Sequence, residues 1–403
     1  MTNQPFEAVK ITESIWWVGA IDWNLRDFHG YETRRGTTYN AFLVKGNTGY
    51  ILIDTVKHGF KGELISRIQS VCDLSEIRAI ISNHAEMDHS GSLPSILKRL
   101  APDTPVYASA MGVKALAAHF DSIKATAVAN GSTLTIDGRT FRFVETRMLH
   151  WPDSMWTYDE TDHVLFSNDA FGMHLASLER WYDECHPAVL AEETARYFAN
   201  ILMPYTAMVS KACASYPSLG IDVKVLCPDH GPLWRNDGIQ QIINKYAQWS
   251  DPNAARKKAV VVYDSMWHST ELMAFAIAEG IQKAGYACKL MSLATSHRSD
   301  VAAELLNADV LLVGSPTLNS GMLPRVADML CYISGLKFKF KTGASFGSYG
   351  WAPLGPKAVA EQLKPLCTAL VDPLTFNYVP TMDDLAKCRQ FGSDIVTNQE
   401  TAK

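Results

Sequence analysis

The segment Ile81–Ser92, ISNHAEMDHSGS, places two histidines and two carboxylates within six consecutive positions. It follows the apolar run IRAIIS, which is typical of a buried strand, and it precedes SLPSILKRL, which predicts a helix. The side chains of His84, Glu86, Asp88 and His89 therefore share one strand-to-helix loop. A set this dense is costly to bury unless cations neutralise it, so the loop predicts a metal site.

Three further candidate ligands follow predicted strands downstream. His150 comes after TFRFVETR, Asp169 after HVLFSN and His230 after VKVLC. Loops at strand ends are where a rigid scaffold presents its functional side chains. We therefore expect these three residues to join the four in the first loop.

Length, charge and cysteine content limit the classes of protein to which the chain can belong. A chain of 403 residues predicts two domains, and a net charge of −5 argues against nucleic-acid or anionic-membrane partners. The start lacks a secretory signal pattern, and no apolar run is long enough to cross a bilayer. Eight cysteines without a C-x-x-C pair indicate reduced thiols and a cytoplasmic location. Any iron–sulfur or rubredoxin-type electron carrier is expected to be a separate protein.

The pattern of predicted elements changes near residue 250. Short strands dominate up to that point, and the polar, proline-containing segment Gln248–Asn253 is typical of a linker. Beyond it, KAVVVYDS predicts a buried strand and STELMAFAIAEGIQKAG an amphipathic helix, and the alternation continues. This indicates a doubly wound parallel sheet. The predicted organisation is a domain over residues 1–250, a linker over 251–258 and a second domain over 259–403.

Three loops of the second domain predict an FMN site. YDSMWHSTE offers hydroxyls and backbone N–H groups at a helix N-terminus, which suits a phosphate, although such residues also cap helices for structural reasons. The chain has neither a GxxxxGK[ST] nor a GxGxxG motif, so a triphosphate or dinucleotide is not indicated. GSPTLNSG and FGSYGW follow parallel strands, at the edge where a flavin ring would lie. The predicted flavin-binding residues are Ser265, Met266, Trp267, His268, Ser269, Thr270, Ser315, Pro316, Thr317, Leu318, Asn319, Ser348, Tyr349, Gly350 and Trp351.

The metal-binding pattern resembles that of the metallo-β-lactamase fold, an αββα sandwich. The shared order is H-x-[HE]-x-D-H followed by a distant His, Asp and His, and Asp54 in ILIDT matches an early aspartate that supports the ligands. Hydrolases of that fold usually carry histidine where this chain has Glu86. The added carboxylate favours iron able to reach the ferric state, but zinc also accepts carboxylates, so ligand type alone leaves both metals open.

A metallo-β-lactamase-like domain followed by a flavodoxin-like domain resembles the flavodiiron proteins. The resemblance spans nearly the whole chain and is closest to the A-type members that act as rubredoxin:oxygen oxidoreductases. It rests on AIDWNLRDFHGYETRRGTTYNAFLV, HAEMDH, LHWPDS, SNDAFG, CPDHG and DSMWHSTE. It implies an α/β protein whose N-terminal αββα sandwich carries two irons and whose C-terminal doubly wound sheet carries FMN.

The same resemblance implies specific roles for the candidate ligands. His84, Glu86 and His150 would hold one iron, Asp88, His89 and His230 the other, and Asp169 would bridge the two. The implied enzyme reduces dioxygen to water, nitric oxide to nitrous oxide, or both. Its electrons would come from an external donor such as rubredoxin, and it would work as a head-to-tail homodimer or a dimer of dimers. The alternative hypothesis is a zinc hydrolase of the metallo-β-lactamase fold fused to a flavodoxin-like domain.

Four residues near the site receive weaker interpretations. His174 in FGMH is either a hydrogen-bond donor or gate beside the metals, or a surface histidine. His29 in DFHGY is placed at the mouth of the metal pocket. Tyr197 and Phe198 lie in a helical stretch, which favours core packing over a pocket wall.

Overall fold

The computed structural model of the chain describes residues 5–254 and 256–401. Outside the described residues lie 1–4 of the first predicted domain, 402–403 of the second and Ala255 of the predicted linker. The rest forms two compact units. The first contains the chain up to Tyr197 together with Tyr205–Ser250, and the second contains Phe198–Pro204 together with the chain from Asp251 onward.

The first unit is built on two sheets. Its strands are β1 (Val9–Lys10), β2 (Ile15–Trp17), β3 (Ala20–Asp22), β4 (Asp27–Phe28), β5 (Tyr31–Glu32), β6 (Thr37–Tyr39), β7 (Phe42–Lys45), β8 (Tyr50–Ile53), β9 (Ile77–Ser82), β10 (Val106–Ser109), β11 (Ala125–Val128), β12 (Thr133–Ile136), β13 (Arg139–Glu145), β14 (Met155–Asp159), β15 (Val164–Phe166), β16 (Val225–Cys227) and β17 (Trp234–Arg235). One sheet has the order β1-β2-β7-β8-β9-β10-β11, and the other has the order β12-β13-β14-β15-β16-β17. Two short ribbons, β3 with β6 and β4 with β5, complete the strands.

Alternating side chains of the first sheet serve two cores. Phe42 and Val44 face the second sheet, where they join Phe141 and Phe166 in one buried cluster. Leu43, between them in sequence, belongs to a separate cluster that packs against helices. This period of two is what an extended strand imposes on its side chains.

Helices cover the outer side of the first sheet. The helices of the first unit are α1 (Lys61–Gln69), α2 (Met87–Ser90), α3 (Leu93–Leu97), α4 (Ala110–His119), α5 (Pro187–Tyr197), α6 (Thr206–Ser215) and α7 (Asp237–Ser250). Leu64 of α1, Ile96 of α3 and Leu116 of α4 lie in the helix-facing core of the first sheet. The layering confirms the sandwich expected from the sequence. The helix predicted over SLPSILKRL is shorter than that stretch and ends at Leu97.

The second unit is a five-stranded sheet in which every neighbouring pair is parallel. Its strands are β18 (Lys258–Tyr263), β19 (Ala287–Ser292), β20 (Val310–Gly314), β21 (Phe340–Tyr349) and β22 (Cys367–Asn377), and its helices are α8 (Ser269–Lys283), α9 (Arg298–Leu305), α10 (Pro324–Gly335), α11 (Leu354–Leu363) and α12 (Met382–Thr401). The strand order β19-β18-β20-β21-β22 is that of flavodoxin-like folds. The predicted doubly wound sheet is therefore confirmed.

None of the helices in the described ranges is both long enough and apolar enough to cross a membrane.

Two glycines let α8 and α12 approach closely. A Cβ on Gly280 of α8 would collide with the carbonyl oxygen of Arg389, and a Cβ on Gly392 of α12 would collide with the carbonyl oxygen of Ile277. The obstacle in each case is backbone, which cannot rotate away as a side chain can. The contact therefore requires glycine at both positions.

Substitution Gly280→Ala is expected to destabilise the second unit by about 1–3 kcal/mol, because the added methyl group overpacks a backbone contact. Hydrogen–deuterium exchange followed by mass spectrometry should show faster exchange in α8 and α12, with β7 to β10 unchanged. Gly335→Ala is the matched control, since a Cβ there meets no atom within 4 Å. Equal exchange in both variants would contradict the close-packing assignment.

Candidate metal centre and flavin cavity

The candidate ligands meet at one edge of the second sheet. Strands β13 and β14 are antiparallel, β14 and β15 are antiparallel, and β15 and β16 are parallel. β13, β15 and β16 consequently run in the same direction, and their carboxyl ends lie at the same edge. His150, Asp169 and His230 follow these three ends. The HAEMDH loop arrives from the carboxyl end of β9 in the facing sheet.

All seven predicted ligands fall into two groups of close donor atoms. His84, Glu86, His150 and Asp169 form one group, and Asp88, His89 and His230 form the other, with the donor atoms of each group within 4.8 Å of one another. His150 is partly exposed, and the other six residues are buried. The two groups contain the residues that the resemblance implies for two metals, with Asp169 grouped with His84, Glu86 and His150.

Asp169 lies between the two groups and faces both. Its Oδ2 is 3.4 Å from His84 Nε2 and 3.3 Å from His150 Nε2. Its Oδ1 is 3.4 Å from His89 Nε2 and 3.3 Å from His230 Nε2. A single carboxylate thus presents one oxygen to each group, which is the arrangement that a bridging ligand needs.

Acceptors behind two of the histidines fix which ring nitrogen faces the centre. His84 Nδ1 lies 3.1 Å from Asp153 Oδ2, and His230 Nδ1 donates to the carbonyl oxygen of Thr38 at 2.6 Å. His89 Nδ1 is 3.6 Å from Asp229 Oδ2. In the rings of His84 and His230, Nε2 is left for the centre, as is usual for metal-binding histidines held by an outer acceptor.

The charges of the centre shift the pKa values of its members strongly. Burial by itself raises the pKa of Glu86, but hydrogen bonds to His150 and His84 lower it to about 2. Burial by itself lowers the pKa of His89, but the carboxylates of Asp88, Asp169 and Asp229 raise it to about 9. Without metal, carboxylates and imidazoles therefore hold each other in their charged forms.

The donor set fits a pair of metal ions. Both oxygens of Asp88, both ring nitrogens of His89 and Oδ2 of Asp169 are buried without a hydrogen-bond partner among the described residues. Buried polar atoms are normally paired, so five unpaired atoms in one place indicate that something else satisfies them. Carboxylate oxygen and imidazole nitrogen together are donors that iron and zinc both accept.

Aromatic and histidine side chains surround the two groups. The Tyr197 hydroxyl donates to Asp169 Oδ1 at 2.9 Å, although the sequence favours core packing for this residue. His174 is buried, with its ring 4.7 Å from that of His230 and its Nδ1 2.9 Å from the Thr37 hydroxyl. Burial, and then the charge of His230, lowers the pKa of His174 well below its usual value. His174 is therefore not on the surface, and its ring is neutral.

The two remaining residues that the sequence singled out near the site, His29 and Phe198, are not part of the two donor groups. His29, expected at the mouth, has a side chain that is 76 % exposed and an Nε2 that lies 3.5 Å from Glu86 Oε1. Phe198 is buried in the π-helical turn Phe198–Leu202, which groups with the second unit.

Sequence reasoning missed Asp153, which contacts His84, and Asp229, which lies near His89. Asp153 follows His150 by three residues in LHWPDS, and Asp229 precedes His230 in CPDHG. Asp54, which sequence reasoning expected beside the ligands, accepts from the backbone N–H and the side-chain amide of Asn83, each at 2.7 Å. Asp54 thus holds the residue that precedes His84.

A cavity in the second unit takes up much of the predicted flavin site. Its lining comprises Ser265, Met266, Trp267, Ser269, Pro316, Thr317, Ser348, Tyr349, Gly350, Tyr378 and Val379. Serine and threonine hydroxyls, together with the N-terminus of α8, suit a phosphate, and the aromatic rings suit a planar ring system. Among the described residues, no lysine or arginine lines the cavity.

Some predicted flavin contacts lie outside this lining. They are His268, Thr270, Ser315, Leu318, Asn319 and Trp351. Thr270 is fully buried behind the cavity, where its hydroxyl accepts from the Ser348 N–H at 3.3 Å. Tyr378 and Val379, which sequence reasoning missed, come from the turn after β22, a strand end like those of the three predicted loops.

Known proteins match both units of the chain. The family model described as ODP family beta lactamase matches residues 37–231, and the flavodoxin model matches residues 261–392. A nitric oxide reductase of Moorella thermoacetica is 40% identical over 395 residues, covering 96% of this chain and 98% of that protein. A rubredoxin-oxygen oxidoreductase of Megalodesulfovibrio gigas is 40% identical over 394 residues, covering 96% and 97%.

Solved structures give the same result. Rubredoxin oxygen:oxidoreductase from Desulfovibrio gigas superposes with a TM-score of 0.94 at 39% identity, covering 98% of this chain and 99% of that one. The flavodiiron protein from Giardia intestinalis superposes with a TM-score of 0.91 at 32% identity, covering 98% and 97%.

Substitution Asp169→Ala is expected to remove metal from both groups, because each group loses the oxygen that faces it. Iron measured by plasma emission should fall from about two ions per chain to less than one, while bound flavin stays unchanged. Asp183→Ala is the control, since that exposed carboxylate pairs with Arg235 and belongs to neither donor group. An Asp169→Ala protein that retains both ions would refute the bridging assignment.

Substitution Ser269→Ala is expected to weaken FMN binding by about tenfold or more, the loss of one hydrogen bond to a charged phosphate. The dissociation constant can be measured from the fluorescence of FMN added to deflavinated protein. Ser334→Ala, on the exposed face of α10, should leave that constant unchanged. Equal FMN dissociation constants for wild type and Ser269→Ala would contradict the assignment of the phosphate to the start of α8.

Proposed function

The chain belongs to the flavodiiron protein family, and from that membership we infer that it is an oxidoreductase that reduces dioxygen, nitric oxide or both. Its cofactors are FMN and a non-haem pair of irons. Iron supplies the redox-active site for the gas, and FMN passes on electrons singly or in pairs. The observation that carries the function is Asp169, which presents one oxygen to each of two donor groups in a chain that also has a flavodoxin unit.

We propose the following ligand set from the two donor groups. His84, Glu86 and His150 hold one iron, Asp88, His89 and His230 hold the other, and Asp169 bridges them. FMN lies in the cavity of the second unit, against the loops that begin at Ser265, Pro316 and Ser348. The metal domain corresponds to residues 1–250, the linker to 251–258 and the flavin domain to 259–403.

Side chains around the proposed metal pair form hydrogen bonds with the bridging carboxylate or face the place where the gas would bind. The Tyr197 hydroxyl holds Asp169 from the side of its Oδ1. His174, kept neutral by burial, offers an Nε2 that has no hydrogen-bond partner among the described residues. We propose that His174 Nε2 forms a hydrogen bond with an oxygen-containing ligand beside His230. His29, at the exposed side of Glu86, would line the entry.

The zinc hydrolase alternative finds little support. The relatives that match the whole chain are named as oxidoreductases, and the second unit matches a flavodoxin model. A hydrolase would have no use for a second domain that binds a redox cofactor.

The proposed electron donor is rubredoxin or a similar small carrier. The name of the Megalodesulfovibrio gigas relative supports this donor. A cytoplasmic location is also proposed, and it is supported by the eight cysteines, all of which are free thiols.

The proposed assembly is a head-to-tail homodimer, or a pair of such dimers. Large apolar side chains around the flavin cavity support it, since Trp267 is 86 % exposed and Trp351 92 % exposed, with Tyr378 and Val379 also exposed. On the first unit Trp23 and Met87 are exposed, and Met87 follows Glu86 directly. Exposed apolar patches of this kind mark interaction surfaces.

The test is turnover by protein produced in iron-replete cells and purified without air. We expect about two irons and one FMN per chain, and oxidation of reduced rubredoxin on addition of dioxygen or of nitric oxide. The ratio of the two rates, measured with one protein preparation, assigns the preferred gas. Two zinc ions, little iron and no rubredoxin oxidation would overturn the proposed function.

A further inference from the structure

We propose that Asp153 is a positioning residue for the first metal, acting through His84 and through the backbone of the HAEMDH loop. The inference rests on the proposed metal-binding function and extends it to a residue that binds no metal itself. Asp153 lies between β13 and β14, and its side chain is 3 % exposed.

One oxygen of Asp153 makes both contacts. Its Oδ2 accepts from the backbone N–H of Ala85 at 2.7 Å and lies 3.1 Å from His84 Nδ1. The carboxylate thereby joins the β13–β14 loop to the start of the loop that carries four of the seven ligands. It ties the side chain of His84 to the backbone of the next residue.

The chemistry of this pair decides which nitrogen of His84 faces the centre. An ionised carboxylate only accepts hydrogen bonds, so His84 Nδ1 carries a hydrogen. The lone pair for a metal is then on Nε2, which lies 3.3 Å from Glu86 Oε2 and 3.4 Å from Asp169 Oδ2. A ring turned the other way would leave the first group without this donor.

The two metal groups differ in this respect. Behind His230 the acceptor is the neutral carbonyl of Thr38, and behind His89 the carboxylate of Asp229 stands at 3.6 Å, outside hydrogen-bond distance. Among the described residues, His84 is the one of these three rings whose Nδ1 has an anionic partner within hydrogen-bond distance. An anionic partner makes an imidazole a stronger donor to its metal. The effect of Asp153 should therefore fall mainly on the ion held by His84, Glu86 and His150.

The second oxygen of Asp153 argues against a purely structural role. Oδ1 is buried and has no hydrogen-bond partner among the described residues. A buried carboxylate with an unpaired oxygen costs free energy unless positive charge lies nearby. The backbone of Asp153 is anchored separately, because the Ser109 hydroxyl donates to its carbonyl oxygen at 2.8 Å. Fold and carboxylate function can therefore be tested by different substitutions.

The experiment is a titration of metal-free, FMN-loaded protein with Co²⁺, followed by the visible absorption of the bound ion. Asp153→Asn removes the charge but keeps an oxygen that can accept from Ala85. We expect wild type to bind two Co²⁺, and Asp153→Asn to bind one of them about 10–100-fold more weakly while the other keeps its affinity. Bound FMN should not change.

Ser109→Ala is the matched control. It removes the anchor of the Asp153 backbone and the cap of α4, where the Gly112 N–H donates to the Ser109 hydroxyl at 3.0 Å. We expect a lower thermal midpoint with both Co²⁺ affinities retained. A second control is the pair His84→Ala and His84→Ala/Asp153→Asn. These two variants should bind Co²⁺ alike, because Asp153→Asn keeps an acceptor for the Ala85 N–H and changes only the contact to His84.

The outcomes separate this inference from the proposed function. Wild type that fails to bind two Co²⁺ would refute the ligand set and this role with it. Two ions in wild type, with unchanged affinities in Asp153→Asn, would refute the role of Asp153 alone. Equal weakening of both ions, or an added loss in the His84→Ala background, would also overturn it, since either result indicates a general disturbance.

If Asp153→Asn does not fold, the wild-type protein provides the test. In Zn²⁺-loaded protein labelled with ¹⁵N-histidine, the His84 Nδ1–H should give a downfield proton resonance that is absent from His84→Ala. A His84 ring with no proton on Nδ1 would overturn the inference.

Discussion

Charge compensation around Asp169 is the constraint on which the first unit depends. Glu86, Asp88 and Asp169 are buried together with the imidazoles of His84, His89 and His230, and Asp169 contacts members of both groups. Carboxylates in an apolar interior are tolerated only when opposite charge is close. Without metal that charge comes from protonated histidines, as the raised pKa of His89 indicates. With metal it comes from the cations, which displace those protons.

The loops that deliver the ligands hold uncommon backbone conformations. Asn168, next to Asp169, has a φ of 45°, and Asp54, which holds Asn83, has a φ of 54°. Asparagine and aspartate tolerate this region, but Met148 at 67° and Phe171 at 71° tolerate it less well. Such conformations cost about 1–3 kcal/mol each and persist where surrounding contacts enforce them. Here they flank His150 and Asp169, so the strain lies where ligand direction matters.

The sequence predicted those features whose residues lie close together along the chain. HAEMDH is visible because four ligands share one loop, and β18 and α8 are visible because their apolar periods are strong. The aspartates behind the histidines were not predicted. An aspartate that accepts a hydrogen bond from a histidine ring and an aspartate in a solvated turn have the same local sequence pattern. The contact from Tyr197 to Asp169 was missed for a related reason. A tyrosine at helical spacing looks like core until the facing loop is in place.

The flavin unit poses the opposite physical problem to the metal unit. The metal centre is enclosed by its own unit, whereas the flavin cavity is bordered by Trp267, Tyr378 and Val379, all of them exposed. Large aromatic side chains in water forgo the stabilisation that burial gives, about 25 cal/mol for each Å² covered. A reduced flavin open to solvent would also meet dissolved oxidants directly. A second copy of the chain packed on this rim would bury the apolar side chains and shield the flavin from dissolved oxidants. If the metal centre of that copy faced the cavity, it would also place an electron acceptor next to the flavin. The exposed apolar rim is thus the feature of the second unit that supports the proposed head-to-tail assembly.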